Sequence, residues 1–147
     1  MRALSQRRLT EAQLYSRLRQ RGFGDEEVCA AVERCRAGGY LDDRLYASLY
    51  VAGHRKAVGD ARLVAELVQR GIEREAASAS VAAGDDDEER RIERAVEQLY
   101  ARRPGLAYPS AARSLERLGF PATLIYRHLR RRAAPVFEAE DSLAAHA

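Results

Sequence analysis

The chain of 147 residues is poor in several residue types. It has no tryptophan, three phenylalanines and two cysteines. β-Branched residues are scarce as well, with nine Val, three Ile and two Thr, whereas Ala, Leu, Arg and Glu dominate. Strands favour β-branched side chains, and helices favour the residue types that are abundant here. The composition therefore predicts an all-α protein with a thin core, because 27 alanines inflate its 46% hydrophobic content.

Signals for membranes and export are also lacking. No run approaches the ~18 consecutive apolar residues that a membrane-spanning helix needs. Residues 1–6 contain no apolar segment, so we expect no signal peptide. Cys29 and Cys35 lie six residues apart in one predicted helix, which fits reduced thiols better than a disulfide or a zinc site. We expect a cytoplasmic protein with no membrane partner.

Patterns typical of catalysis are missing too. His54 and His128 have no partner at a known catalytic or metal-binding spacing. None of the ten glycines forms a GxGxxG or Walker pattern. Cys29 is predicted to pack on the apolar side of its helix rather than to act as a nucleophile. We therefore expect no enzyme, no cofactor and no metal site.

Three segments share one pattern of apolar residues and glycine. The copies are Leu14, Leu18, Gly22, Phe23, Val28 and Val32; Leu63, Leu67, Gly71, Ile72, Ala77 and Val81; and Ala111, Leu115, Gly119, Phe120, Ile125 and Leu129. The glycines are 49 and then 48 residues apart, a period typical of helical arrays. In each copy, the glycine is expected to end a first helix in the left-handed C′ position, and the next apolar residue to close the turn. Thr10 and Gln13 predict a capping box for the first of these helices.

A third helix is predicted after each of the first two copies. Asp42 is its expected N-cap in copy one, and in copy two it begins within 85–89 and runs to about Arg102. The predicted architecture is a tandem array of three-helix repeats. Its parts are repeat 1 over 1–58, repeat 2 over 59–105, repeat 3 with two clear helices over 106–132, and an acidic, mobile tail, at most a short helix, over 133–147.

Charge follows the repeat. Net charge alternates in sign, with +5 over 1–21, −3 over 22–53, +2 over 54–74, −5 over 75–101, +7 over 102–132 and −3 over 133–147. Such a surface suits a polyanion or a partner that carries both signs. The candidate contact residues are basic: Arg17, Arg21, Arg55, Lys56, Arg62, Arg70, Arg127, Arg130 and Arg131. Tyr15 and Tyr126 lie near the two strongest basic patches, where they could stack on bases, but we expect them to cover the core.

A helix, a glycine turn and a second helix also describe the helix-turn-helix of DNA-binding proteins. That motif favours a small residue four positions before the glycine, where the first copy has Leu18. The second helix of the first copy begins with Asp25, and acidic residues there would repel DNA phosphates. We do not expect sequence-specific reading of a DNA groove.

Four stretches together resemble a known family. They are Thr10-Glu11-Ala12-Gln13-Leu14 with Arg21-Gly22-Phe23; Gly39-Tyr40-Leu41-Asp42-Asp43 followed by Arg44-Leu45-Tyr46-Ala47; Gly59, Arg62-Leu63, Glu66-Leu67 and Arg70-Gly71-Ile72; and Leu115-Glu116-Arg117-Leu118-Gly119-Phe120. The pattern resembles the RecX regulators of the bacterial recombinase RecA, over about residues 3–132. Asp60 departs from it, because many members have proline there.

The resemblance implies an extended, curved molecule built of tandem three-helix repeats. It also implies binding in the groove of the RecA filament on single-stranded DNA, bridging of protomers, and inhibition of ATP hydrolysis, strand exchange and filament extension. Such a regulator acts in DNA repair and homologous recombination, and some members touch DNA directly. The basic candidates rest on charge placement and on no family motif. We expect a monomer.

Two alternatives stay open. The protein could bind within the filament groove or cap a growing filament end. It could also be a general single-strand nucleic-acid-binding module that affects RecA by competing for DNA. The +7 segment, which contains Tyr108 and Tyr126, supports this second function.

Overall fold

The computed structural model describes the backbone of residues 8–145 and the side chains of residues 8–133. Over that part of the chain it contains helices and no strand, which confirms the all-α prediction. The helices are α1 (Glu11–Gln20), α2 (Asp25–Ala37), α3 (Asp43–His54), α4 (Asp60–Gln69), α5 (Arg74–Ala82), α6 (Glu88–Arg102), α7 (Tyr108–Arg117) and α8 (Ala122–Ala145). None of them, as far as the chain is described, is long and apolar enough to span a membrane.

Short-range sequence signals start two of the helices as predicted. The Thr10 hydroxyl accepts a hydrogen bond from the Gln13 amide, and the Gln13 side chain accepts one from the Thr10 amide. This is the capping box predicted for α1. The Asp42 carboxylate accepts from the Leu45 amide at 3.1 Å and caps α3, also as predicted.

The predicted glycine turn recurs three times with the same geometry. Gly22, Gly71 and Gly119 have φ values of 95°, 93° and 91°, the left-handed conformation expected at C′. The residue after each glycine donates its amide to the carbonyl of the residue four positions before that glycine: Phe23 to Leu18 at 3.3 Å, Ile72 to Leu67 at 3.1 Å, and Phe120 to Leu115 at 3.2 Å. Three matching turns confirm the tandem helical repeat.

The helices pack as two compact units. Within the described residues, unit 1 comprises residues 8–54 and 63–85, and unit 2 comprises residues 55–62 and 86–145. The units group helices by packing, whereas the predicted repeats group them by sequence. The repeat boundaries therefore remain a prediction.

In each unit, one glycine turn lies against the start of a first helix. In unit 1, the Thr10 hydroxyl donates to the Arg70 carbonyl at 2.5 Å, and a Cβ added at Gly71 would lie closer than 3.0 Å to the Cβ of Ala12. In unit 2, the Gly59 amide donates to the Leu118 carbonyl at 2.7 Å, next to the turn at Gly119. The two units thus share both the glycine turn and its close packing against the start of a helix.

The turn at Gly22 differs from the other two. No described atom outside the neighbouring residues lies within 4 Å of a Cβ added there. Phe23, expected to close the turn as a buried contact, is 46% exposed, whereas its counterparts Ile72 and Phe120 are each 3% exposed. The Phe23 ring therefore lies on the surface of the described part of the chain.

A buried arginine links the segments of unit 2. Arg91 on α6 is 1% exposed and pairs with the carboxylate of Asp60. Its guanidinium also donates to the Val58 carbonyl at 2.8 Å and to the Asp87 carbonyl at 3.3 Å. A charge with this many partners tolerates burial, and it ties the start of α4 to α6.

The last helix extends further than the sequence indicated. The third repeat was expected to end at Arg132, but the backbone of α8 continues to Ala145. Ala and Glu, which favour helix, are frequent beyond Arg132. The side chains of 134–147 lie outside the described residues, so the predicted mobile tail stays a prediction.

Candidate functional site

One cationic surface lies on α8 in unit 2. We call it the α8 basic patch, and its members are the exposed arginines Arg127, Arg130, Arg131 and Arg132. Arg127 pairs with Glu89, and the Arg132 guanidinium lies over the Tyr100 ring, 4.0 Å from its centroid. Arg130 and Arg131 form no ion pair within the part of the chain whose side chains are described. Both residues are exposed to solvent, and the charge of Arg131 also acts on Glu89.

Glu89 connects this patch to α6. Its carboxylate accepts from Arg127, and its other oxygen lies 2.8 Å from Nε2 of His128, which is 7% exposed. The hydrogen bond with His128, followed by the charge of Arg127, holds the pKa of Glu89 below its ordinary value. Glu89 thus stays ionised, positions α8 on α6 and neutralises part of the patch.

Two exposed tyrosines lie together in the same unit. Tyr108 and Tyr126 are 42% and 55% exposed, and their ring centroids are 6.1 Å apart with the planes tilted by 38°. They come from the first turn of α7 and from α8, in the segment of highest positive charge. Exposed rings beside arginines are a surface on which nucleic-acid bases can stack.

Two predictions about packing were wrong. Tyr126 and Tyr15, expected to cover the core, are exposed; Ile125 takes the inward position on α8, and the Tyr15 hydroxyl donates to Asp25 at 3.0 Å. Cys29, expected on the apolar side of α2, is exposed as well. Val28 occupies that side, and adjacent helix positions point about 100° apart.

A second cationic surface is a groove of about 660 Å³ in unit 1, which we call the unit 1 groove. Three arginines line it: Arg8 before α1, Arg17 on α1 and Arg70 after α4. Among the described residues that line the groove, none carries a carboxylate. An anion that enters it meets three arginines in the lining, while the nearby Glu66 carboxylate accepts the hydrogen bond of the Tyr50 hydroxyl.

Three parallel rings of α3 also line the groove. Tyr46, Tyr50 and His54 follow one another at four-residue intervals. The Tyr46 and Tyr50 centroids are 6.4 Å apart at an interplanar angle of 11°, and those of Tyr50 and His54 are 3.9 Å apart at 10°. Tyr50 is fixed by its hydroxyl, which donates to Glu66, and burial together with this carboxylate raises the pKa of Tyr50 to about 12.

The arginine that follows α4 in this groove is held in place. The Arg70 guanidinium lies 4.4 Å from the centroid of the Tyr50 ring, a cation–π distance. Its Nη1 donates to the Glu66 carbonyl at 3.1 Å. Since a guanidinium has five N–H groups, others remain for a ligand.

The nine predicted contact residues fall into several settings. Arg17 and Arg70 line the unit 1 groove; Arg127, Arg130 and Arg131 belong to the α8 basic patch; Arg21, Lys56 and Arg62 are exposed elsewhere; and Arg55 is buried, at 8% exposure. Burial makes Arg55 the least suited to contact a partner. Sequence reasoning did not select Arg8, because it precedes the first helix and belongs to no periodic pattern.

The repeated turns and helices define a tandem helical-repeat protein, which carries two cationic surfaces. No family model matches the chain. It is 35% identical over 121 residues to the regulatory protein RecX of Thermus thermophilus, covering 82% of this chain and 80% of that protein. It is 33% identical over 140 residues to the regulatory protein RecX of Thermobifida fusca, covering 88% and 74%.

A solved structure agrees with this relationship at the level of the fold. The crystal structure of RecX from Lactobacillus salivarius matches with a TM-score of 0.75 and covers 88% of this chain and 89% of that one, at 18% identity. The chain belongs to the RecX family of regulatory proteins.

Proposed function

We propose that this protein regulates RecA by binding its filament on single-stranded DNA. Membership of a family of regulatory proteins supports the regulatory role. The observation that carries the contact surface is the exposed pair Arg130 and Arg131, which form no ion pair among the described side chains. Exposed guanidinium charges of this kind are suited to acidic protein surface or to phosphates.

Binding across neighbouring protomers would act by shifting populations. A regulator changes the balance of two filament states only by the difference in its affinity for them. A preference for an inactive geometry lowers ATP hydrolysis and strand exchange without any contact with ATP. Binding at a growing end blocks extension instead. In the first case inhibition scales with occupancy along the filament, and in the second it saturates at one molecule per end.

The test compares two double charge reversals. Arg130→Glu/Arg131→Glu alters the α8 basic patch, and Arg113→Glu/Arg117→Glu makes the same charge change on exposed residues of α7. Fluorescence anisotropy with preassembled RecA filaments, at one fixed salt concentration, should show at least about tenfold weaker binding for the first variant only, or ~1.4 kcal/mol. Equal binding by both variants, with unchanged melting, would remove the patch from the proposal.

A second function is favoured by the exposed Tyr108 and Tyr126 rings. They suit a single-strand nucleic-acid-binding module that affects RecA by competition for DNA. The same anisotropy titration with bare DNA separates the two functions. Tight binding to filaments with weak binding to bare DNA supports the regulator. Equal or tighter binding to bare DNA, weakened by Tyr126→Ala, supports competition.

A further inference from the structure

We propose that the unit 1 groove is a nucleotide-binding site, in which arginines hold the phosphates and the base stacks on His54. This site requires no RecA and does not rest on the regulation proposed above. Its ligand is a nucleotide, either free or within a single strand, since both present phosphate and a base.

The charges of the groove suit phosphate. Arg8, Arg17 and Arg70 enter it from three segments of unit 1. Their planar guanidinium groups match the geometry of phosphate oxygens and can donate two hydrogen bonds each. Arg70 is already oriented by the Tyr50 ring and by the Glu66 carbonyl, so less conformational entropy is lost when it binds a ligand.

The ring stack ends on a surface that a base could extend. Tyr50 covers one face of the His54 ring at a centroid distance of 3.9 Å, while His54 as a residue is exposed. Nδ1 of His54 donates to the Tyr50 carbonyl at 2.8 Å, because a carbonyl only accepts. The ring is thus held parallel to its neighbours, and a base on the face opposite Tyr50 would continue the stack. Stacking of this kind contributes about 1–3 kcal/mol per base in single-strand binding.

The size and the remaining lining agree with such a ligand. A volume of about 660 Å³ lies within the range of small-molecule and cofactor sites. Gln20 and Gln69 bring side-chain amides, which can both donate to and accept from a base edge. The carboxylates of an acidic peptide could bind the arginines, but they have no aromatic face to stack on the exposed His54 ring. A nucleotide offers phosphate for the arginines and a base for the aromatic stack, so the lining favours a nucleotide as the ligand.

The experiment uses the full chain without RecA. Binding of fluorescein-labelled oligothymidylate is followed by anisotropy, and free dTTP is added as competitor. Arg17→Gln removes a groove cation, and Arg34→Gln removes an exposed cation of α2 in the same unit that does not line the groove. The loss of a charge-assisted hydrogen bond predicts about tenfold weaker binding for Arg17→Gln and less than about twofold for Arg34→Gln.

A second pair of variants tests the stacking. His54→Ala should weaken binding of the oligonucleotide and of dTTP, and His54→Tyr should restore it, because a tyrosine ring also offers a π-face. Competition by dTTP identifies a free nucleotide as a sufficient ligand, and binding of the oligonucleotide alone identifies a strand. The proposal is overturned if wild type binds neither probe, if Arg17→Gln and Arg34→Gln behave alike, or if oligoglutamate displaces the probe as well as dTTP does. Filament binding is measured separately, so the two proposals can fail independently.

Discussion

Gly71→Ala should destabilise unit 1 through two separate effects. The first is backbone strain, because Gly71 has a φ of +93° and the left-handed region costs a residue with a Cβ about 1–2 kcal/mol. The second is steric, because the new Cβ would lie closer than 3.0 Å to the Cβ of Ala12. Forcing an additional group into a packed contact costs about 1–3 kcal/mol. Together they predict a loss of about 2–5 kcal/mol.

Matched glycines separate the two effects. Gly22→Ala adds strain only, since its φ is +95° and its Cβ would have no described neighbour within 4 Å. It should cost about 1–2 kcal/mol. Gly59→Ala adds a steric clash without a left-handed φ, because its Cβ would meet the backbone of Gly119. This variant reports on the same contact in unit 2 and should cost about 1–3 kcal/mol or more.

The assay is urea denaturation followed by circular dichroism, with midpoints and slopes compared among variants. The double variant Gly71→Ala/Ala12→Gly removes the atom that Gly71→Ala meets. The next atoms, the Cα of Ala12 and Oγ1 of Thr10, are both 3.6 Å away, an ordinary contact. The double variant should therefore be more stable than the sum of the single losses predicts, by about 1–3 kcal/mol. Additive losses, or equal losses for Gly71→Ala and Gly22→Ala, would refute the reasoning.

Three further perturbations test the contacts inside the units. Arg91→Met should lower the free energy of unfolding by about 2–3 kcal/mol, because the buried hydrogen bonds of the guanidinium are lost while Asp60 remains partly solvated. Denaturant melts measure this loss, and unchanged stability would contradict the role of Arg91. Thr10→Ala removes the cap of α1 and the bond to the Arg70 carbonyl and should cost about 2 kcal/mol, whereas Thr10→Ser should retain most of the stability. The pKa of Glu89 is lowered in the folded state from 4.5, so the carboxylate stabilises the fold above that pH, and this stabilisation is lost as the pH falls through the folded pKa. Between pH 4.5 and lower pH, the melting temperature of Glu89→Gln should therefore fall less than that of wild type.

The features that could be predicted are those set by neighbours in sequence. The capping box of Thr10 and Gln13, and the left-handed glycines at Gly22 and Gly71, each depend on residues within one helical turn. The repeat made these signals stronger, because one pattern occurred three times. Burial of the periodic positions followed, as with Val28 and its counterparts.

Features that join distant segments could not be predicted in the same way. From the sequence alone, Arg91 would be expected on the surface, as most arginines are. It is buried because its guanidinium donates to the Val58 carbonyl and the Asp60 carboxylate, which are 33 and 31 residues away in sequence. Arg8 and Arg70 are likewise separated by most of unit 1, and only tertiary packing brings them to one groove. Charge placement therefore selected Arg17 and Arg70 individually but could not predict that they line the same groove.

The Gly71 turn explains why they combine. With no side chain at Gly71, the turn lies against Ala12, and Thr10 bonds the Arg70 carbonyl, so Arg70 is held beside α1. The corresponding turn in unit 2 makes the same close approach at Gly119, but the residue before it is Leu118, not an arginine. The repeat thus reproduces the contact while its chemistry changes from copy to copy. Gly71→Ala should accordingly weaken nucleotide binding in the unit 1 groove, even under conditions in which unit 1 is still folded, whereas Gly22→Ala should leave it intact.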